Sequence, residues 1–169
     1  TTEYELLRYV SPTELFNEAL RALDEEGMPV TLPVSMAADS DTQVAATTDW
    51  TTSNVTVSKV TAAANVLPGF VRALRCLLTA AAGYAEGPNI PVVPGSAVYV
   101  AVATRADVGS ARWQLWDKTN DAIIDSQRSH AYERYMHQWD TFNIPATCEE
   151  VAVRFGGTGG ANADDFFVQ

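Results

Sequence analysis

Five large aromatics in the second half of the chain, Trp113, Trp116, Tyr132, Tyr135 and Trp139, are the residues best suited to a binding chemistry. An aromatic face left in solvent offers an apolar, flat surface to the C–H face of a sugar ring, so an open row of such faces makes a platform. Trp113 and Trp116 differ by an odd number. On one strand they point to opposite faces, one into the core and the other outward. Tyr135 and Trp139, four apart in an extended segment, share a face. Trp116, Tyr135 and Trp139 are therefore the platform candidates. The same residues would serve core packing or a subunit contact, because large aromatics dominate both.

No other constellation carries a reaction. His130 and His137 are seven apart with no ligand set beside them, and read as surface histidines rather than a metal pair. Asp117, Asp121 and Asp125 lack the glycine and terminal glutamate of a calcium loop, so they read as a polar hairpin. Asp164 and Asp165 read as turn residues. Gly156-Gly157-Thr158-Gly159-Gly160 follows a strand but has no Gly-Lys-Ser/Thr and no helix pattern after it, which makes it a loop tip and not a nucleotide site. No nucleophile elbow or Cys/His arrangement is present, so a non-enzymatic protein is expected. Cys76 falls on the face shared by Leu74 and Leu78, and with Cys148 reads as two buried thiols, a disulfide being the alternative.

Composition narrows the partners. The 169 residues are 47% hydrophobic and 19% charged, which suits a folded domain with a core. The formal net charge is −10, with Lys and Arg scattered singly. Nucleic-acid binding needs clustered cations to replace counterions, and an anionic membrane repels such a surface, so neither partner is expected. No apolar run approaches the roughly 18–20 residues of a membrane span, and the N-terminus shows no basic segment leading into an apolar one.

The elements that must position these residues change character along the chain. Ser11-Pro12-Thr13-Glu14 combines an N-cap hydroxyl, proline at the first helical position and glutamate three residues after the cap. Leu15, Phe16, Ala19, Leu20 and Leu23 then form one apolar stripe, and Gly27 and Pro29 end the run, which predicts a helix over about 11–26. Tyr4, Leu6, Leu7, Tyr9 and Val10 ahead of it read as an extended arm. Residues 28–48 form a connector holding one strand at Thr31–Met36. From Asp49 the period is two. Strands are expected at Val55–Val60, Phe70–Leu78 (a short apolar helix being the alternative), two short pieces about Gly87-Pro88, Val98–Thr104, Ala111–Trp116, Ala122–Ser126, Ala131–Ile144, Val151–Phe155 and Phe166–Gln169. Short strands at roughly 10-residue spacing favour a mainly β chain: an antiparallel jelly-roll β-sandwich over 48–169, behind an arm, one short helix and a connector over 1–47.

Ile90-Pro91-Val92-Val93-Pro94-Gly95-Ser96-Ala97-Val98-Tyr99 resembles the entry strand of jelly-roll carbohydrate-binding modules. Phe142-Asn143-Ile144-Pro145, Glu150 to Phe155 and Asp165-Phe166-Phe167 are similar to their closing strands, which also occur in structural proteins of tailed bacteriophages. Two roles follow from the resemblance. In the first, the chain is a virion component of head, neck or tail. Tyr4, Leu6, Leu7, Leu15, Phe16, Leu20 and Leu23 then attach it to other virion proteins or to copies of itself, and the sandwich is displayed. In the alternative, it is an extracellular or adhesin glycan-binding module with Trp116, Tyr135 and Trp139 as its platform for cell-surface or other glycans. Modules of this kind often hold a structural calcium. By the resemblance Asp165 would be the residue to hold it. The carboxylate-bearing first strand that helps bind it has no counterpart here, so a calcium site is unsupported and no cofactor is expected.

Overall fold

The computed structural model describes residues 47–48, 50–68 and 70–169. The arm residues Tyr4, Leu6 and Leu7, the helix residues Leu15, Phe16, Leu20 and Leu23, and the strand expected at Thr31–Met36 lie outside the described residues. Eleven strands are present among them: β1 (Thr51–Ser53), β2 (Val55–Val60), β3 (Ala73–Leu78), β4 (Tyr84–Glu86), β5 (Ile90–Pro91) and β6 (Ala97–Val108). The remainder are β7 (Ala111–Asp117), β8 (Ala122–His130), β9 (Met136–Asn143), β10 (Glu150–Gly156) and β11 (Asp165–Val168). A single 3-10 turn at Ala63–Asn65 is the one helical element in this region.

All pairings are antiparallel and form two sheets. The first runs β1-β4-β10-β7-β8 with β5 also on β10, and the second runs β2-β3-β11-β6-β9. The chain passes repeatedly between them. Asn54, at φ 51°, turns it from β1 in one sheet to β2 in the other, and its carbonyl accepts the Thr79 N–H at 2.9 Å. Gly156 is where β10 leaves its sheet, at φ 93°, and a Cβ there would sit 2.3 Å from the Gly83 carbonyl oxygen, so only glycine fits.

Alternation decides which residues fill the space between the sheets. Leu74, Cys76 and Leu78 of β3, Trp113 and Leu115 of β7, Val151 and Phe155 of β10, and Phe166 and Val168 of β11 face inward and are buried. Trp113 meets Phe142 edge-on, with ring centroids 5.9 Å apart. Cys76 and Cys148 are buried, unlinked thiols, and burial pushes both pKa values up, so they stay protonated at neutral pH. As expected from their spacing, Trp113 is in the core and Trp116 faces outward.

The expectations for residues 131–144 and for His130 need correction. The stretch 131–144 is not one strand. Tyr132 donates its N–H to His130 Nδ1 at 3.2 Å and accepts the Ala106 N–H at 3.0 Å, which bends the chain before β9 begins. His130 is also not a surface residue. It is half-buried, stacked on Tyr132, with Nε2 2.8 Å from Thr104 Oγ1 in the opposite sheet. One neutral tautomer satisfies both ring nitrogens, with Nε2–H donating to Thr104 and Nδ1 accepting from Tyr132.

Burial lowers the His130 pKa below 6.5, outweighing the bond with Thr104. A lowered folded-state value means the unfolded chain takes up the proton first as pH falls. The stability from a neutral His130 is therefore whole above pH about 6.5 and is lost as pH drops through the lower folded value. The urea midpoint should fall between pH 7.5 and pH 5, and His130→Gln should flatten part of that slope. An identical slope in the variant would remove His130 as the cause.

Candidate functional site: an aromatic groove on the second sheet

On β6 the even residues Val98, Val100 and Val102 face the core, so Tyr99, Ala101 and Ala103 face outward. The register with β9 sets Tyr99 opposite Thr141, Ala101 opposite Trp139 and Ala103 opposite His137. Side chains directly across an antiparallel pair lie within contact range, so the small Ala101 leaves the indole beside it uncovered. Trp139 is 64% exposed and Tyr99 62% exposed, far above what large aromatics show in a packed core.

A second wall rises from the connector between β2 and β3, residues 61–72. Arg105 Nη1 donates to the Ala64 carbonyl and, at 3.0 Å, to Asn65 Oδ1. Tyr135 donates its hydroxyl to the Asn65 carbonyl at 2.7 Å. Gln169 accepts the Leu67 N–H and donates to the Arg72 carbonyl, both at 2.6 Å. Under this connector Phe167, though on the outward face of β11, is 98% buried, with the Arg105 guanidinium 5.3 Å from its ring centroid.

Between the two walls lies a groove of about 340 Å³ with Ala101 and Ala103 as floor, Trp139 and His137 on one side, and Leu67 and Phe70 on the other. None of the described residues lining it is charged. The groove can therefore take a ligand with apolar faces and neutral polar edges, and it offers no Lys or Arg to a phosphate or carboxylate.

The three aromatics singled out in the sequence do not form one surface. Trp139 lies in the groove. Tyr135 precedes β9 on the same parity, but its hydroxyl is spent on Asn65 and it is half-buried. Burial raises its pKa to about 12, so the hydroxyl remains a donor at any working pH. Trp116 sits on the outer face of the other sheet, because β7 and β9 belong to different sheets. Its ring face is taken by the Arg154 guanidinium at 3.6 Å, and its Nε1–H goes to Asp121 at 3.1 Å. Arg154 also lies over Tyr84 and pairs with Glu86, which accepts from Lys118 Nζ at 2.6 Å. That face is a closed ion-pair network.

Phe70, in the groove, and Tyr99, exposed on the same sheet face, are the residues that sequence reasoning passed over. Tyr99 was visible only as the end of the entry strand, and Phe70 as the start of a strand that in fact begins at Ala73.

The carboxylates considered for metal are committed elsewhere. Asp117 accepts the N–H groups of Thr119 and Asn120 at 2.9 and 2.8 Å and the Asn120 amide at 2.7 Å. Burial pushes its pKa up, but these bonds outweigh it and hold the carboxyl below its usual range. Asp125 pairs with Arg128 at 2.9 Å. Asp164 caps its own turn by accepting the Ala161 N–H at 2.9 Å. Asp165 lies in β11, not in a turn, and both of its oxygens face Arg75 Nε, at 2.9 and 3.1 Å. The residues present therefore do not fit a calcium site at Asp165.

No family model and no curated protein matches the sequence. Solved structures do match the fold. The enzymatically active domain of tailspike protein 4 from bacteriophage CBA120 superposes with a TM-score of 0.58 at 12% identity, over 79% of this chain and 20% of that one. The chain thus spans about a fifth of the length of that tailspike domain. The C-terminal family 22 carbohydrate binding module of Clostridium thermocellum Xyn10B gives 0.57 at 15% identity, covering 81% of this chain and 93% of the module. The CBM22-1 xylan-binding domain of Paenibacillus barcinonensis Xyn10C gives 0.56 at 10% identity, over 76% and 86%. At such identities the likeness establishes the fold alone: a two-sheet antiparallel sandwich of the kind found in jelly-roll carbohydrate-binding modules.

Proposed function

We propose that this domain is a non-catalytic glycan-binding module, and that a neutral polysaccharide chain lies in the groove of the second sheet. The observation that carries the reading is Trp139, a tryptophan held 64% exposed over an alanine floor in an uncharged groove. Tyr99 and Phe70 extend the stacking surface on either side. The fold shared with carbohydrate-binding modules, two of them described as xylan-binding, supports the same reading and supplies the first ligand to try. Affinity electrophoresis in soluble xylan, β-glucan and mannan tests it. Retardation by one or more of these polymers is expected, and free migration in all three would overturn the proposal.

A second reading places the module on a virion, where it would serve attachment to the particle or display on it. The tailspike likeness is what favours it. The apolar residues Tyr4, Leu6, Leu7, Leu15, Phe16, Leu20 and Leu23 would then make a homo-oligomer or a contact with other virion proteins. Light scattering decides. The full chain should form a defined oligomer, and Phe16→Ala with Leu20→Ala, or a truncation beginning at Asp49, should give a folded monomer. An oligomer of unchanged mass in the double variant would remove these residues from assembly.

A further inference from the structure

The groove has one rigid wall and one added wall, and the added wall is held in an unusual way. Trp139 and His137 stand on β9, the edge strand of the second sheet, paired along its length with β6. Leu67 and Phe70 stand on a connector that has no strand pairing across the groove floor. What holds it is a set of side chains reaching from three separate places. Arg105 comes from β6, Tyr135 from the bend before β9, and Gln169 from the residue after β11. Four of the five acceptors and donors they engage on the connector are main-chain groups, at Ala64, Asn65, Leu67 and Arg72. Such bonds fix where the connector's backbone runs, whatever its side chains are.

We infer that the 61–72 connector is the selectivity-determining wall of the groove, and that Tyr135, Arg105 and Gln169 are positioning residues that set its distance from Trp139. The inference rests on the glycan reading given above. A groove of about 340 Å³ lies at the small end of ligand sites. A fixed wall at that size admits a bare chain and excludes one bearing side substituents facing Phe70. A released wall would admit both. Tyr135 and Arg105 touch the connector and do not line the groove, whereas Gln169 both holds the connector and lines the groove. Loss of Tyr135 should therefore change which chain is preferred more than how tightly the bare chain binds.

Tyr135→Phe and Gln169→Ala test this, with Trp139→Ala alongside. Titration calorimetry compares xylohexaose with an arabinose-substituted xylan oligosaccharide of the same backbone length. In the parent protein the bare chain should bind more tightly. In Tyr135→Phe the preference should shrink by about 3- to 10-fold, the worth of one lost hydrogen bond, and in Gln169→Ala, which loses two, by at least as much. Preference unchanged in both variants would overturn the wall, while loss of binding in Trp139→Ala would leave the glycan reading standing.

Hydrogen exchange gives an arm that needs no ligand. The Leu67 amide, bonded to Gln169, should exchange far more slowly than that of Gly95, which sits in an open turn, and should speed up at least about 10-fold in Gln169→Ala. Equal exchange at Leu67 and Gly95 in the parent protein would show that no fixed wall exists and would overturn the inference, whether or not any glycan binds.

Discussion

Trp139→Ala should abolish most glycan binding while leaving the fold intact. A central stacking tryptophan in a binding patch is commonly worth about 2 kcal/mol or more, which corresponds to a fall in affinity of roughly 30-fold or more. The stability cost should be small, within about 0.5 kcal/mol, because the indole is mostly in solvent and its cross-strand partner is Ala101. Trp116→Ala supplies the contrast. Trp116 lies on the other sheet with its face covered by Arg154, so its removal should leave affinity unchanged and instead disturb the Glu86–Arg154–Lys118 network. Calorimetry with xylohexaose, beside thermal melts of both variants, reads the two effects separately. If Trp116→Ala lost binding and Trp139→Ala kept it, the glycan would belong on the first sheet and the groove assignment would fail.

Much of the architecture could be read from the residues. Period-two alternation in Val151 to Phe155 and Val55 to Val60 marked strands, because each has one face that must be dry. The strand expected from Phe70 begins only at Ala73. The hairpin at Asp117–Asp121 was marked by polar residues, of which Asp117 accepts the turn's own N–H groups. The odd spacing of Trp113 and Trp116 told correctly that one is core. What alternation cannot tell is which sheet a strand joins. Trp116 and Trp139 were grouped because both point outward, yet β7 and β9 lie in opposite sheets, and that follows from pairings between residues far apart in sequence. The groove was hidden for the same reason. Ala101 looks unremarkable until β9 places Trp139 across from it, and Phe70 becomes a wall only through Gln169 and Tyr135, 99 and 65 positions further along the chain. His130 was misjudged because Thr104, its partner at Nε2, is brought to it from the opposite sheet.

Trp113→Ala should be the most damaging single substitution in the sandwich, costing about 3–5 kcal/mol. The indole is fully buried, so its removal opens a large cavity. It also ends a line of polar groups that runs between the sheets. Trp113 Nε1 donates to Gln138 Oε1 at 3.0 Å, Thr104 Oγ1 donates to the same oxygen at 3.2 Å, and Thr104 meets His130 Nε2. A domain of this size has a total stability of only about 5–15 kcal/mol, so the variant should unfold at a much lower urea concentration or fail to fold. Trp113→Phe separates the two contributions. It keeps most of the ring and loses the N–H, and should cost about 1–3 kcal/mol, the penalty for leaving a buried acceptor short of a partner. Equal midpoints for Trp113→Phe and the parent would mean that the bond to Gln138 contributes nothing. The consequence reaches the groove. Gln138 points inward because Trp113 and Thr104 hold it there, and alternation then obliges Trp139 to point outward. Trp113→Phe should therefore weaken glycan binding as well as stability, even though the residue lies on the far side of the core from the ligand. Unaltered affinity in that variant would show that the β9 register alone fixes the exposed face of Trp139.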